Sequence, residues 1–269
     1  MKIGIIGAGN MGSALVRGLV GSGEAMPEMI SVFDVDPEKV LMLQQELNIQ
    51  PAEEIGETIA SDTDILILAV KPQIIVDVVS SIADKIHDLL VIISVAAGIS
   101  TGFILSRLNS PARIIRAMPN AAALVGASAT ALCKGGSADD NDLEKALGIF
   151  SAIGLAVPVQ ESMMNVVTAL SGSGPGYLFP VMEALADGAV LMGLDRPTAR
   201  SLTAQTFMGS ALMALSGDEA FSDLKDRITS PAGTTIAGLQ VIERAGLRGI
   251  FMDAVQAAAR RAEELEGKK

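Results

Sequence analysis

The fold is decided by the stretch Lys2-Ile3-Gly4-Ile5-Ile6-Gly7-Ala8-Gly9-Asn10-Met11-Gly12. A short apolar run predicts a strand, and the glycines after it have G-x-G-x-x-G spacing at the start of a helical stretch. The first glycine permits a tight turn, the second lets a pyrophosphate approach the backbone, and the third allows close helix–strand packing. The helix N-terminus then turns its positive end toward the phosphates. The stretch predicts a dinucleotide site at Gly7, Ala8, Gly9, Asn10, Met11 and Gly12, with an unliganded glycine turn as the alternative.

The first half of the chain alternates short apolar runs with helical stretches. Near-continuous apolar strands predict a sheet covered on both faces, and the alternation predicts right-handed crossovers in a doubly wound parallel sheet. Predicted strands are residues 2–6, 29–33, 65–70, 90–95 and 113–116, with two later runs, 128–132 and 155–159, as possible extensions. Predicted helices are residues 11–20, 37–47, 73–83 and 140–149.

From about Glu161 the β-like runs disappear, and Ala, Leu, Met and Gly recur at helical spacing. We therefore predict a dinucleotide-binding domain of Rossmann type at residues 1–160 and an all-helical domain at residues 161–269. The later helices look too apolar to be covered by a short bundle of their own. Either a dimer covers them or they pack against the first domain, and the sequence leaves both alternatives open.

Composition excludes several classes of function. The net charge of -11 repels phosphate backbones, and 3% aromatic residues offer no stacking platform, so nucleic-acid binding is not expected. No apolar run is long and uninterrupted enough for a membrane span, and the N-terminus reads as a strand without a signal peptide. The single cysteine, Cys133, cannot form an internal disulfide. Together these features predict a cytoplasmic protein.

Asp34 ends the second predicted strand, 22 residues after Gly12. An acidic side chain at this place in a dinucleotide-binding unit accepts hydrogen bonds from the adenosine ribose and repels a 2′-phosphate. The sequence therefore favours NADH over NADPH, and Lys39 is the nearest cation that could oppose this preference. The alternative is that Asp34 caps the helix start at Asp36-Pro37.

A second informative stretch lies near the C-terminus, where Ser230-Pro231-Ala232-Gly233-Thr234-Thr235 runs directly into an apolar helical pattern. Such a junction leaves backbone N–H groups unpaired at a helix start, with hydroxyls beside them. It is a suitable place to hold a carboxylate and to hydrogen-bond a reacting atom. The alternative is a loop marked by proline and followed by a threonine-rich first turn.

This stretch closely resembles the signature of pyrroline-5-carboxylate reductases, which reduce a cyclic imine to proline. Residues 69–73, 93–98, 116–120 and 170–177 resemble the same family at corresponding places, so the likeness spans nearly the whole chain in the right order. Three positions depart from the family pattern. Asp34 stands where a small polar residue is usual, Gly176 where Ala is usual, and Ala232 where Gly is usual; we expect Ala232 to be tolerated if its φ is negative.

The resemblance implies roles for individual residues. Val70, Lys71 and Ala97 would line the nicotinamide side of the cofactor, and Pro72 would also bind the cofactor, although Lys71 alone reads as a solvated cation. Thr235 would hydrogen-bond the imine nitrogen, the backbone of Gly233, Thr234 and Thr235 would bind the substrate carboxylate, and Ser230 would shape the loop. Glu161 would lie near the substrate, or else complement a helix dipole. The family also implies a homodimer, with rings of dimers as a larger assembly.

The remaining chemistry fits imine reduction. His87 reads as a surface residue, and we expect no metal site and no Cys/His pair. A cyclic imine can protonate in water and then accept hydride, so the protein must mainly hold two rings face to face. One alternative is another imine or 3-hydroxyacid oxidoreductase. The 3-hydroxyacid enzymes typically use a lysine as acid/base, and the loop has none, although Lys225 is near. The second alternative is a non-catalytic NAD(P)-sensing protein.

Overall fold

The structure is a computed structural model and describes residues 1–266 of the chain. It divides into two compact units. The first comprises Met1–Ser173 together with the chain from Ala257 onward, and the second comprises Gly174–Gln256. The last strand ends at Pro158, and only helices and turns follow it as far as residue 266. The boundary that the sequence places between residues 160 and 161 stays a prediction. Residues 267–269 of the predicted second domain lie outside the described residues.

The first unit contains one eight-stranded sheet whose order is β3-β2-β1-β4-β5-β6-β7-β8. Strands β2 and β3 are added on one side of β1, and β4 and the later strands are added on the other side. The strand order therefore reverses between β1 and β4, which is the topological switch point. The strands are β1 (Ile3–Ile6), β2 (Ile30–Phe33), β3 (Gln50–Pro51), β4 (Ile65–Leu68), β5 (Val91–Ser94), β6 (Arg113–Met118), β7 (Ser128–Gly136) and β8 (Gly154–Pro158).

The predicted doubly wound sheet is confirmed, with one pairing that departs from a parallel arrangement. Strand β7 pairs antiparallel to β6, with Arg116 opposite Cys133. The connection between them holds only a 3-10 turn at Ala121–Val125, and a parallel return requires a longer crossover. Strand β8 pairs parallel to β7 after a helical crossover. Strand β3 was not predicted, because it has two residues and one of them is Pro51.

Helices cover both faces of this sheet, as continuous apolar strands require. Ile3 and Ile5 enter one buried cluster and Ile6 enters another, because successive side chains of a strand point to opposite faces. Helices of the first unit are α1 (Asn10–Ser22), α2 (Pro37–Leu47), α3 (Ile75–Ile82), α4 (Thr101–Leu105), α5 (Asp140–Ser151) and α6 (Met164–Val167).

The second unit is helical and leaves much of its apolar surface uncovered. Its helices are α7 (Gly174–Leu191), α8 (Arg196–Leu215), α9 (Phe221–Arg227), α10 (Thr234–Arg244) and α11 (Leu247–Glu266), the last of which ends in the first unit. In the single chain Leu191, Leu215 and Phe221 are 86%, 73% and 80% exposed. So many large apolar side chains exposed in one unit are typical of a protein that associates through that unit. Among residues 1–266, no helix combines the length and hydropathy that crossing a bilayer needs.

A buried ionic cluster joins distant parts of the first unit. The Arg116 side chain is only 4% exposed, and its Nη1 lies 2.7 Å from Glu266 Oε1 and 3.5 Å from Glu161 Oε1. Asn165 Nδ2 donates to Glu266 Oε2 at 2.7 Å. One guanidinium thus lies between two carboxylates that follow it by 45 and 150 residues and offsets part of their negative charge.

We expect Arg116→Met to destabilise the protein by about 3 kcal/mol, because it leaves two partly buried carboxylates without a counter-charge. The matched control is Arg17→Met, which removes an ion pair with Glu46 whose two side chains are each 45% exposed. An exposed pair of this kind contributes about 1 kcal/mol or less. Denaturant unfolding measures the free energy of unfolding of both variants. Equal losses of stability would contradict the importance of the cluster.

Candidate active site

The cofactor residues predicted from the sequence lie along one edge of the sheet. The glycine loop follows β1, Asp34 follows β2, Val70-Lys71-Pro72 follows β4, and Ala97 lies beyond β5. These four strands are neighbours in the order β2-β1-β4-β5, and all their pairings are parallel. Their carboxyl ends therefore meet at one edge, across the switch point between β1 and β4.

The three glycines of the loop have three different physical requirements. Gly7 has φ +106°, a conformation that favours glycine. A Cβ added at Gly12 would lie 1.8 Å from the carbonyl oxygen of Gly7, so only glycine lets α1 approach β1 this closely. A Cβ added at Gly9 would have nothing within 4 Å. The open space over Gly9, at a helix N-terminus without a side-chain cap, fits the approach of a phosphate group.

The other residues at this edge differ in exposure. Val70 is half-buried, and its Cγ1 would lie 3.2 Å from a Cβ added at Gly7, so it packs beside the glycine loop. Lys71 is exposed and precedes the 3-10 turn Pro72–Ile74. Ala97 is exposed beyond the end of β5. Half-buried and exposed side chains thus follow the glycine loop along this edge.

The Asp34 carboxylate is tied to the backbone on both oxygens. Oδ2 accepts from the Ala8 N–H at 2.7 Å, and Oδ1 accepts from the Asp36 N–H at 2.9 Å. The side chain is 11% exposed. The cap of α2 is Asp36, which accepts from the Glu38 N–H, so Asp34 instead joins the glycine loop to the turn before α2. A fixed negative charge therefore lies at the end of β2, beside the loop.

Lys39 lies close to this charge. Its Nζ is 3.2 Å from Asp36 Oδ2 and 3.7 Å from Asp34 Oδ1. The hydrogen bond with Asp36 and the charge of Asp34 raise the pKa of the Lys39 ammonium, which therefore stays protonated. The group of two carboxylates and one ammonium has a net negative charge.

The loop in the second unit is a tight turn that leads into α10. The Gly233 N–H donates to the Ser230 carbonyl at 3.1 Å, with Pro231 and Ala232 at the two central positions. Ala232 has φ +58°. We expected alanine to be tolerated here if its φ were negative, and that condition is not met. A positive φ at the second central position, after Pro at the first, is the pattern of a type II turn, where glycine or asparagine is usual. A non-glycine residue in that conformation costs on the order of 1 kcal/mol.

The same turn presents the start of α10. Gly233 is the N-cap, and no side chain among residues 1–266 caps the helix. Thr235 is half-buried in the first helical turn, whereas Thr234 and Ser230 are exposed. A Cβ added at Gly233 would lie 2.3 Å from Ser230 Oγ, so glycine is needed there for Ser230 to sit over the turn. Backbone N–H groups and a threonine hydroxyl thus lie together at a positive helix end.

Glu161 lies in the first unit, where both its oxygens have partners. Oε1 accepts from the Thr101 N–H and Oε2 from the Thr101 hydroxyl, each at 2.7 Å. Its carboxylate thereby stabilises the start of α4, whose N-cap is Ser100. Sequence reasoning missed Thr101 and Arg116 as partners of Glu161, since no local pattern connects residues 60 and 45 positions apart. Substrate contact by Glu161 stays a prediction.

His87, which the sequence suggested to be a surface residue, is only partly exposed. It is half-buried before β5, at the opposite end of that strand from Ala97, and its Nε2 is buried without a hydrogen-bond partner among the described residues. This position removes His87 from the edge where the cofactor residues lie.

A doubly wound sheet with a glycine loop at its switch point defines a dinucleotide-binding fold of Rossmann type. Family models match two parts of the chain: residues 161–265 match pyrroline-5-carboxylate reductase dimerisation, and residues 2–98 match NADP oxidoreductase, coenzyme F420-dependent. A pyrroline-5-carboxylate reductase of Methanosarcina acetivorans is 48% identical over 268 residues, covering 100% of this chain and 98% of the relative. The Escherichia coli enzyme of the same name is 39% identical over 98% of both chains.

Solved structures agree with these relatives. A pyrroline-5-carboxylate reductase from Coxiella burnetii superposes with a TM-score of 0.93 at 36% identity, covering 98% of each chain. A Plasmodium falciparum pyrroline carboxylate reductase with NADP bound superposes with a TM-score of 0.85 at 29% identity, covering 99% of this chain and 98% of that one. The chain belongs to the pyrroline-5-carboxylate reductase family, which confirms the resemblance drawn from its motifs.

The glycine loop allows a matched test of the dinucleotide site. We expect Gly9→Ala to weaken NADH binding by about tenfold or more while leaving the melting temperature nearly unchanged, because its methyl group enters only the open space over the loop. Gly12→Ala drives a methyl group into the Gly7 carbonyl, and we expect it to cost about 3 kcal/mol, or on the order of 10 °C.

Fluorescence titration with NADH and thermal unfolding separate the two effects. The site assignment fails if Gly9→Ala binds NADH as well as the parent protein does.

Proposed function

We propose that the protein reduces 1-pyrroline-5-carboxylate to L-proline with hydride from NAD(P)H, the last step of proline biosynthesis. The observation that carries this proposal is the start of α10. There a constrained turn presents the Thr235 hydroxyl beside a helix N-terminus that no described side chain caps, in a chain of this family. Such a site suits a small substrate with one carboxylate and one polar ring atom.

Thr235 is the catalytic residue in this proposal. The imine nitrogen is protonated in water, hydride then passes from the dihydronicotinamide to the imine carbon, and the pair of electrons of the C=N π bond goes to nitrogen. Thr235 accepts a hydrogen bond from the protonated nitrogen and holds the ring in place. The N–H groups of Thr234 and Thr235 bind the substrate carboxylate with help from the helix dipole.

Ser230 and Gly233 act by shaping the turn. The Gly233 N–H is already engaged with the Ser230 carbonyl, so Gly233 contributes chiefly through the absence of a side chain. We keep Glu161 near the substrate in this proposal. It accepts a hydrogen bond from the Thr101 N–H, and Thr101 lies four residues after Ala97, beyond the end of β5. Glu161 would act there by fixing the segment between them.

The cofactor is a nicotinamide dinucleotide. Gly7, Ala8, Gly9, Asn10, Met11 and Gly12 would hold its pyrophosphate, and Val70, Lys71, Pro72 and Ala97 its nicotinamide. We propose that NADH is preferred, because the fixed Asp34 carboxylate would accept from the ribose hydroxyls and repel a 2′-phosphate. Asp36 adds a second negative charge, which Lys39 only partly offsets.

We expect Thr235→Ala to lower kcat for 1-pyrroline-5-carboxylate by roughly ten- to a hundredfold, the loss of one hydrogen bond worth about 1–3 kcal/mol in the transition state. NADH affinity should be retained, because Thr235 lies in the second unit, away from the glycine loop in sequence. Thr198→Ala is the matched control, since Thr198 is exposed in the first turn of α8.

The assay follows NADH oxidation with the imine as substrate. Thr235 leaves the mechanism if its variant keeps the parent kcat and kcat/KM, and the proposed function itself fails if the parent protein binds NADH without turnover.

We expect NADH to be preferred over NADPH by roughly ten- to several-hundredfold in kcat/KM. Like charges about 4 Å apart repel by about 1 kcal/mol in water and about 4 kcal/mol at an effective dielectric of 20, and this site is intermediate. Asp34→Ser should reduce the preference, whereas Lys39→Met should increase it by removing the cation beside Asp34. Steady-state kinetics with both cofactors decides, and faster turnover with NADPH in the parent protein would refute the assignment of Asp34.

We further propose a cytoplasmic homodimer, with rings of dimers as the larger assembly, in which the exposed apolar helices of the second unit are buried. Leu215 in that unit and Leu89 in the first unit are 73% and 72% exposed, so they form a matched pair. We expect Leu215→Asp to shift the protein toward monomer in light scattering and Leu89→Asp to leave the dimer intact. A parent protein that is monomeric at micromolar concentration would contradict the proposal.

A further inference from the structure

A short turn follows β5 at the edge of the sheet where the cofactor residues lie. The Ile99 N–H donates to the Ala96 carbonyl at 3.4 Å. Ala97 and Gly98 therefore occupy the two central positions of this turn, which we call the β5 turn (residues 96–99). Gly98 has φ +66°, in the left-handed region that glycine adopts readily. The two outer residues are buried whereas Ala97 is exposed, so the turn presents Ala97 at the surface.

The β5 turn lies on the half of the sheet that would receive the nicotinamide. A dinucleotide binds across the switch point of such a sheet, with one nucleotide over each half. The glycine loop and Asp34 follow β1 and β2, so the adenosine end of the cofactor belongs there. Strands β4 and β5 lie beyond the switch point and are left for the nicotinamide end. The place of the β5 turn therefore bears on one end of the cofactor and not on the other.

The hydrogen bond within the β5 turn is long, so the position of the turn depends on the residues at its two ends. At the first end, the Val95 N–H donates to the Leu68 carbonyl at 3.2 Å and continues the pairing of β5 with β4. The Ala96 N–H donates to the hydroxyl of the buried Ser94 at 3.3 Å. The sheet itself thus fixes this end of the turn.

The second end of the turn is fixed by Thr101, which is 4% exposed. Its N–H donates to Glu161 Oε1 and its hydroxyl donates to Glu161 Oε2, each at 2.7 Å. Short hydrogen bonds to a charged acceptor are among the stronger ones in proteins. A Cβ added at Gly135 would lie 2.2 Å from Thr101 Cβ, so glycine at that position lets Thr101 lie against β7. Thr101 therefore anchors the chain two residues after the turn.

Glu161 can hold Thr101 because its own carboxylate is fixed. Arg116 Nη1 lies 3.5 Å from Glu161 Oε1 and 2.7 Å from Glu266 Oε1, and the Arg116 side chain is buried. Arg116 belongs to β6, which pairs with β5. All four of these residues belong to the first unit. A continuous set of contacts within that unit thus leads from β6 through Glu161 and Thr101 to the β5 turn.

We propose that Thr101 is a positioning residue for the nicotinamide end of the cofactor: its hydrogen bonds to Glu161 hold the β5 turn where the nicotinamide ring rests. This inference rests on the proposed function, which requires a nicotinamide dinucleotide at this edge. When the turn loses its anchor, the nicotinamide loses support. The adenosine and the pyrophosphate keep theirs, because the glycine loop and Asp34 belong to β1 and β2.

Three substitutions separate the hydroxyl of Thr101 from the remainder of its side chain. Thr101→Val keeps nearly the same shape and removes the hydroxyl that donates to Glu161 Oε2. Thr101→Ser keeps the hydroxyl and removes the methyl group. Thr101→Ala removes both, without placing a methyl group beside the carboxylate.

The matched control is Thr58→Val, at a second buried threonine of the same unit. Thr58 is 1% exposed, and its hydroxyl donates to the Ile55 carbonyl at 2.7 Å. Its carbonyl oxygen lies against Gly4, before the carboxyl end of β1. The control therefore removes an equivalent buried hydrogen bond away from the edge where the cofactor residues lie.

The experiment is isothermal titration calorimetry of the full chain with NADH and with ADP-ribose, which lacks the nicotinamide ring. We expect Thr101→Val and Thr101→Ala to raise the Kd for NADH by about fivefold or more, the effect of losing one supporting hydrogen bond. The Kd for ADP-ribose should change by less than about twofold, because the adenosine end does not depend on the turn. Thr101→Ser and Thr58→Val should match the parent protein with both ligands.

Hydrogen exchange of the Ile99 amide tests the hold on the turn without any ligand. We expect this exchange to be roughly fivefold faster in Thr101→Val and Thr101→Ala than in the parent protein, and unchanged in Thr58→Val. Unchanged exchange in the Thr101 variants would show that Thr101 does not hold the turn and would overturn the inference.

Three binding results would also overturn it. The first is an unchanged Kd for NADH in Thr101→Val and Thr101→Ala. The second is an equal loss of affinity for both ligands, because Thr101 would then support the whole unit. The third is a loss in Thr101→Ser as large as that in Thr101→Val, because the methyl packing would then matter and not the hydroxyl. A parent protein that binds neither ligand is a failure of the proposed function, which takes this inference with it, whereas a parent protein that binds both leaves these results to decide on Thr101 alone.

Discussion

The close approach of α1 to β1 is the constraint on which the first unit depends. Gly12 lies so near the Gly7 carbonyl that no other residue fits, and this contact presses the start of α1 onto the end of the central strand. The positive helix end is thereby fixed at the switch point of the sheet, where the flanking strands deliver Asp34, Val70 and Ala97. The open space over Gly9 exists because the glycines on either side hold the loop in place. One steric requirement thus creates both the packing of the core and the place for a phosphate.

The two units differ in how their apolar residues are used. In the first, β1, β4 and β5 are buried on both faces, so the binding edge rests on a rigid, self-sufficient core. In the second, large apolar side chains remain exposed, and the loop before α10 carries a non-glycine residue at φ +58°. Backbone strain persists only where surrounding structure over-determines it, and it is concentrated at functional sites. The rigid unit is suited to hold the cofactor, and the second unit is suited to association and to shaping a small substrate site.

Sequence reasoning placed most strands and helices within a few residues, because buried strands and amphipathic helices leave strong local patterns. It located the glycine loop and the start of α10 for the same reason, since both are short contiguous motifs. It missed features that depend on distant partners or on backbone angles. The two-residue strand at Gln50–Pro51 forms only by pairing with β2, and the bond of Glu161 to Thr101 spans 60 residues. The positive φ at Ala232 is a backbone angle that the sequence does not reveal, since a turn with Pro at its first central position and a hydrogen bond from Gly233 to Ser230 accepts either sign at the second.

The proposed reaction transfers hydride from a dinucleotide directly to the carbon of a cyclic imine. The most direct measurement uses NADH carrying deuterium at the transferred position on C4, with 1-pyrroline-5-carboxylate in ordinary water, and examines the product by nuclear magnetic resonance. We expect L-proline with one deuterium on the δ carbon, formed in equal amount to the NAD⁺ released. Proline without deuterium at that carbon, or oxidation of NADH without proline, would contradict it.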